Sequence, residues 1–320
     1  MTDDLWPLDG GVATWTGLVV PALAEVDDVV VLARARPGLP ERLGRARVIG
    51  VRGPSFGRWG GWWTAAAALG RRVDRVLATT WPVATALVRG PWPVDVVWHG
   101  SDATRPTDGP RGRVERLAAR HFAVSRYLAG ELAARGVVAD VLPAPVAADA
   151  RPEPPPAALR RLVFAGRLTR EKGVDRFLRL AAALDLDATV IGDGPERAAL
   201  VAMAGPRVRF VGRLGRDAAV AALRGHDLAV LLPRPYPDGS GAEGLGLGLL
   251  EARALGIAVV GCRTGGVPEA VGPGLVVDDP DDVDGMAAAI RAWWRPGRGA
   301  EGRRGLADAA AVAARLRAIG

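Results

Sequence analysis

Short β-rich runs alternate with Ala/Leu/Arg helical stretches twice along this chain, and that alternation constrains the fold more than any other feature. Runs at 29–33, 47–51, 75–79, 94–98 and 122–124 are predicted strands. A helix predicted at 126–135 sets Leu128 and Leu132 one turn apart and stops at Gly136. After a Pro- and Ala-rich stretch at 142–156, read as a linker, a second series has strands at 162–165, 188–191, 207–211, 228–232, 257–261 and 275–277. An Ala-rich helix follows at 303–319. Such βα units build parallel sheets, so the prediction is an α/β chain of two Rossmann-like, doubly wound domains facing across a cleft. The expected bounds are 1–150, 151–300 and a carboxyl-terminal helix at 301–320. A chain of 320 residues suits two cores, since single ones rarely grow past roughly 250 to 300 residues.

Charge narrows the partners. Forty-two basic against 35 acidic residues give +7, but the excess is spread along the chain with no run of five or six like charges, which argues against a nucleic-acid arm. Lys172 is the only Lys; every other cation of the 42 is Arg, so a compact ammonium is singled out at one place. One cysteine, Cys262, excludes an internal disulfide, and residues 1–10 carry three Asp in place of the basic and apolar regions of a signal peptide. A cytoplasmic location is expected. No apolar run approaches about 18 residues, which argues against a spanning helix but leaves peripheral contact with the inner membrane face open.

The second half carries the chemistry. Gly166-Arg167-Leu168-Thr169-Arg170-Glu171-Lys172-Gly173 lies between a predicted strand and a predicted helix, where Arg167 can fork onto phosphate oxygens and Lys172 can supply a point charge. Farther on, Glu243 and Glu251 flank Gly244, Leu245, Gly246, Leu247 and Gly248. On one helix the two carboxylates would share a side, about 12 Å apart along the axis. The helix amino terminus would offer free N–H groups to a phosphate. A dinucleotide fingerprint fits less well, because the last glycine spacing is wrong and a polar loop, not a strand, precedes it.

These residues resemble the retaining glycosyltransferases of family 4, with the two-domain GT-B fold. The resemblance rests on Gly166-Arg167 with Lys172-Gly173, Gly192-Asp193-Gly194-Pro195, Phe210-Val211-Gly212, the acid-x7-acid pair Glu243 and Glu251, and Thr264-Gly265-Gly266-Val267-Pro268-Glu269, in that order over 161–277. Leu245, Arg253 and Ala258 stand where the family usually has Phe, Met and Pro. The resemblance implies that Arg167 and Lys172 bind the donor pyrophosphate, and that Glu243 holds the sugar hydroxyls and Glu251 the ribose hydroxyls. It also implies that Gly166, Gly244 and the amides of Leu245, Gly246 and Leu247 approach the phosphates, and that the turn after Gly212 lines the base.

In the first half, His99-Gly100-Ser101-Asp102 follows a predicted strand, and the resemblance implies that His99 contacts the donor sugar near the reacting carbon. Gly10-Gly11 matches the family's first glycine pair, which implies phosphate contact by Gly11. Only nine residues precede that pair, too few and too polar for a good strand, so the first domain is expected to lack or alter its first strand, or the start to be truncated. Trp59, Trp62 and Trp63 beside Arg58 are read as core, with an acceptor-side or membrane-interface role as the alternative.

The function these readings favour is transfer of a sugar, with retention and without a metal ion or other cofactor, from a nucleotide diphosphate sugar to a hydroxyl of a small-molecule, glycan or lipid acceptor. A GT-B protein that binds a nucleotide sugar or a partner without catalysis is the alternative from another class, and a nucleotide-sugar epimerase is a minor enzyme alternative. A hydrolase using Ser55 in Gly53-Pro54-Ser55-Phe56-Gly57 is disfavoured, because Arg58-Trp59-Gly60-Gly61 stands where a helix should begin.

Overall fold

The computed structural model describes residues 1–2, 5, 10–51, 73–104, 109–147, 154, 156–238 and 241–318. Ser55 and the cluster of Arg58, Trp59, Trp62 and Trp63 lie outside the described residues. The chain divides into two units, Met1–Pro145 with Ala307–Gly320, and Val146–Leu306. Both are Rossmann-like, α/β with parallel strands. No helix among the described residues is long and apolar enough to cross a membrane.

The second unit holds one parallel sheet of six strands. Its spatial order is Val208–Gly212, Asp187–Ile191, Arg161–Ala165, Leu228–Leu231, Ala258–Cys262, Leu275–Val277, which in chain order is 3-2-1-4-5-6. The central strands read as unbroken apolar runs because helices cover both faces: Leu162, Val163 and Phe164, and all four residues of Leu228–Leu231, are buried. The helix Val174–Leu184 shows how these covers form. Its apolar residues Val174, Phe177, Leu178, Ala181 and Leu184 recur at three- and four-residue spacing and are all buried, with Phe177 6.0 Å from the Phe164 ring. Removing either ring would cost about 3–5 kcal/mol. In this strand order the direction of winding reverses between the first strand and the fourth, and ligands of such sheets bind beyond the carboxyl ends at that point.

The first unit's sheet comes in two pieces. Val30–Arg34, Ala46–Val51 and Arg42–Leu43 form a three-stranded piece, and Val76–Ala78, Val94–Trp98, Arg120–Ala123 and Asp140–Val141 a four-stranded one. Met1 and Thr2 lie between the pieces. The Thr2 amide donates to Leu32 O at 3.0 Å, the Met1 amino group to Leu77 O at 2.5 Å, and the Thr79 amide to Met1 O at 3.0 Å. Among the described residues before Gly10, Met1 and Thr2 hydrogen-bond to both neighbouring strands, and Thr2 is fully buried. The carboxyl-terminal helix, Ala309–Ala318, belongs to this unit and packs on the helix Gly11–Leu23.

Candidate functional site

The site is built at the reversal point of the second unit, from loops held by contacts between backbones. The chain leaves Arg161–Ala165 through Gly166, whose amide donates to Ile191 O at 3.0 Å, and the Leu168 amide donates to Asp193 O at 3.0 Å. A Cβ on Gly192 would lie 1.9 Å from Gly166 O, and one on Gly194 2.4 Å from Leu168 O. Only glycine permits these approaches, which explains the Gly192-Asp193-Gly194 spacing. A register shift in the pairing of Asp187–Ile191 with Val208–Gly212 ends at Gly212, with φ +84°, and the Gly212 carbonyl accepts from the Gly192 amide at 2.8 Å.

Lys172 ends a short 3-10 turn, Arg170–Lys172, and the left-handed Gly173 (φ +67°) turns the chain into the helix Val174–Leu184. A Cβ on Gly173 would lie 1.9 Å from Leu232 O, so this turn is clamped against the exit of the fourth strand. That exit is fixed from below by Arg176, which is buried. Its guanidinium donates to Leu232 O at 3.3 Å, to Pro233 O at 2.9 Å and to both Asp281 carboxylate oxygens.

Lys172 and Glu243 form an ion pair in which both side chains are partly covered. Glu243 is held through its own backbone. The Gly266 amide donates to Glu243 O at 2.9 Å, and Cβ atoms on Gly265 and Gly266 would come within 2.2 Å of Glu243 O and 2.1 Å of Gly244 O. The Thr264-Gly265-Gly266 motif is thus the seat of the Glu243-Gly244 loop. Beyond it, Gly246 (φ +97°) caps the helix Leu247–Ala254, and a Cβ on Gly248 would meet Ala165 O at 2.8 Å. The helix amino terminus, with its positive dipole end, therefore sits on the end of the first strand at Ala165.

A family model of glycosyl transferases group 1 matches residues 160–295. Residues 160–295 are thus similar to the group 1 glycosyltransferases. Among curated relatives, a GDP-mannose-dependent monoacylated alpha-(1-6)-phosphatidylinositol monomannoside mannosyltransferase of Corynebacterium glutamicum is 33% identical over 134 residues, 39% of this chain and 35% of that protein. An N-acetyl-alpha-D-glucosaminyl L-malate synthase of Bacillus anthracis is 33% identical over 103 residues, 31% of this chain and 25% of that protein. The matched stretch thus spans about a third or less of these relatives' length. Anabaena HepE, solved with UDP and glucose, matches with TM-score 0.76 and 18% identity, covering 99% of this chain and 98% of that one. WaaG, a glycosyltransferase involved in lipopolysaccharide biosynthesis, matches with TM-score 0.71 and 15% identity over 99% and 97%. The fold is GT-B, as the resemblance implied.

The group 1 domain corrects one reading of its own motif. Glu243 and Glu251 do not share a helix: Gly246 has a left-handed backbone that no α-helix interior accommodates, so Glu243 lies in the preceding loop and only Glu251 is helical. The 12 Å axial spacing does not apply, and neither Gly244 nor Gly246 costs helix stability. Leu245 is buried. Arg167 is exposed and makes no side-chain hydrogen bond or ion pair among the described residues.

Glu251 sits one turn along the group 1 helix from Leu247. Burial pushes its carboxyl up to about 7, opposed by the charge of Arg216. Arg216 escaped the sequence reading, because one Arg among so many carries no signal. Arg253, which replaces the family's Met, is buried and donates to Ala270 O at 2.8 Å, Gly302 O at 2.7 Å and Arg304 O at 2.8 Å. It ties the segment after the domain's last long helix to the core, and burial lowers its pKa.

In the first unit, His99 follows the buried strand Val94–Trp98. The Asp102 carboxylate accepts from the amides of His99 (3.2 Å) and Gly100 (2.7 Å), fixing the turn. The imidazole meets the Trp15 ring edge-on, with centroids 5.4 Å apart, and its buried Nε2 has no hydrogen-bond partner among the described residues. Burial lowers its pKa to about 3, so the ring is neutral at physiological pH. Trp15 belongs to the helix Gly11–Leu23, whose amino terminus is the exposed Gly10-Gly11 pair. His99 and the Gly11 helix are therefore one local assembly joined through an indole, a link no motif announced.

Proposed function

We propose that this protein is a retaining glycosyltransferase that moves a sugar from a nucleotide diphosphate sugar to an acceptor hydroxyl and needs no metal ion. The observation that carries the reading is the Lys172–Glu243 pair beside the amino terminus of Leu247–Ala254, at the reversal point of a 3-2-1-4-5-6 sheet. The pair sets an ammonium and a carboxylate side by side. A donor whose phosphate meets Lys172 brings the adjoining sugar hydroxyls to Glu243.

As the glycosidic C–O bond breaks, negative charge grows on the departing diphosphate. Lys172, Arg167 and the helix end stabilise that charge more in the transition state than in the ground state, which is where rate enhancement comes from. Arg167, without a side-chain partner among the described residues, is available to fork onto phosphate oxygens. For neutral His99 the family resemblance implies contact with the donor sugar near the reacting carbon. Departure and attack on one face follow from the family resemblance. The GDP-mannose relatives and the UDP-bound neighbour support a nucleotide sugar as donor.

The test is turnover with a panel of UDP, GDP, TDP and ADP sugars, read with thermal shifts for the free diphosphates. A diphosphate at 100 times its Kd should add about 2.7 kcal/mol of stability. Lys172→Ala and Glu243→Ala should each cost on the order of 100-fold or more in kcat/KM. Unchanged turnover in both variants would refute the enzyme reading and leave a non-catalytic nucleotide-sugar binder.

A further inference from the structure

The helix Arg216–Leu223 packs beside the helix Leu247–Ala254. Arg216 is its first residue and lies within electrostatic reach of Glu251, whose carboxyl its charge favours in the ionised form. Among the described residues no hydrogen bond or ion pair joins the two, so they stand apart by more than a contact pair. Among the described residues the buried Arg216 Nε has no hydrogen-bond partner, and Nη1 has only the neighbouring Asp217 at 3.5 Å, whose side chain is 99% exposed. A buried guanidinium N–H without an acceptor is costly unless something supplies one. Glu251, largely desolvated, likewise has no side-chain hydrogen bond among the described residues.

Position says which part of a ligand would complete the pair. Phosphates are placed at the amino end of Leu247–Ala254, and Glu251 is four residues along, about 6 Å on at 1.5 Å per residue. That is the distance from a phosphate to a ribose. Arg216 follows the turn after Gly212, which the family resemblance sets against the base, next along from the ribose. A guanidinium offers N–H donors and no acceptor. Guanine, uracil and thymine present carbonyl oxygens to it, and guanine can accept two bonds through O6 and N7. Adenine presents ring nitrogens flanked by an amino group, which is itself a donor.

We infer that Arg216 is a specificity-determining residue of the donor site, donating to a carbonyl oxygen of the nucleobase and so selecting guanine or uracil-type donors against adenine. The inference rests on the proposed function and names the donor class of that same site.

Calorimetric titration of the wild type, Arg216→Ala and Arg216→Lys with GDP, UDP and ADP tests it. The wild type is expected to bind GDP or UDP at least tenfold more tightly than ADP. Arg216→Ala should bring that ratio below threefold with ADP affinity unchanged within twofold, and Arg216→Lys should fall between. Equal weakening of all three diphosphates would assign Arg216 to the phosphates and overturn the inference, as would a preference that survives Arg216→Ala. In either case the proposed function stands. Failure of the wild type to bind any of the three would remove both readings together. Matching melting curves of the variants separate these outcomes from a folding defect.

Discussion

The two units are built on parallel sheets of the same kind, yet they hold their strand ends by opposite means. In the second unit, backbone meets backbone: Cβ atoms on Gly173, Gly192, Gly194, Gly265 and Gly266 would all fall within 2.4 Å of a carbonyl oxygen. In the first unit, Cβ atoms on Gly10 and Gly100, the glycines nearest its own candidate residues, would have nothing within 4 Å. Order comes there from side chains. Buried Asp95 accepts from Arg75 at 3.0 Å and from Arg120 at 2.6 Å, Trp98 Nε1 donates to His121 Nδ1 at 3.2 Å, and Asp102 holds the His99 turn. The lesson is that a loop pinned by main-chain contact has to be spelled with glycine, whereas a loop pinned by side chains can be spelled many ways.

That contrast can be broken most sharply at Gly192. Its φ of +135° and the 1.9 Å approach to Gly166 O leave no room for a methyl group. Gly192→Ala should destabilise the second unit by about 4 kcal/mol, read by chemical denaturation, with the strain of an unfavourable φ adding to the clash. The same change at Gly100 serves as the control and should stay within about 0.5 kcal/mol. Comparable losses at the two positions would show that the contrast between the units is not one of mechanism.

A smaller effect is expected in the first unit. Asp95→Ala leaves Arg120, which is mostly covered, and Arg75, which is 41% exposed, without their shared carboxylate. Removing one partner of a buried pair costs about 3–5 kcal/mol, and the exposure of Arg75 puts the expected loss at the low end, about 3 kcal/mol. Loss of less than 1 kcal/mol would mean that side-chain pairing is not what orders this unit.

The same difference decided what the sequence could tell. All six strands of the second unit's sheet, and its chemical loops, were readable: Gly192, Gly194, Gly265 and Gly266 are required by steric contact, and Lys172 stood out as the only ammonium. What misled was helix periodicity applied across Gly246, because spacing alone does not reveal a left-handed residue. Arg216 and Arg176 were invisible among the Arg residues, and their roles depend on burial and on partners far along the chain, such as Asp281. In the first unit the hydrophobic runs gave the strands. The pairing of Met1 and Thr2 with two neighbouring strands is made by main-chain hydrogen bonds and has no periodic signal.

The two units also differ in how they treat a covered carboxylate, and this gives the smallest of the expected effects. Asp95 is buried with two cations in contact, whereas Glu251 has among the described residues only the more distant Arg216 and is raised from 4.5 to about 7 by burial. A carboxyl whose folded pKa is raised favours folding most below its unfolded value, and this contribution is lost as pH rises through the folded value. Wild type should therefore lose stability relative to Glu251→Gln by about 2 kcal/mol between pH 5 and 8. Donor binding runs the other way. Ribose hydroxyls donate to the ionised carboxylate, so diphosphate affinity should rise up to tenfold per pH unit below 7 and level off above it, while Glu251→Gln should bind more weakly and without that slope. Phosphate ionisation is common to both proteins and cancels in the comparison. Parallel pH profiles for wild type and Glu251→Gln, in melting and in binding, would mean that Glu251 is as well compensated as Asp95, and that the second unit differs from the first only in its glycines.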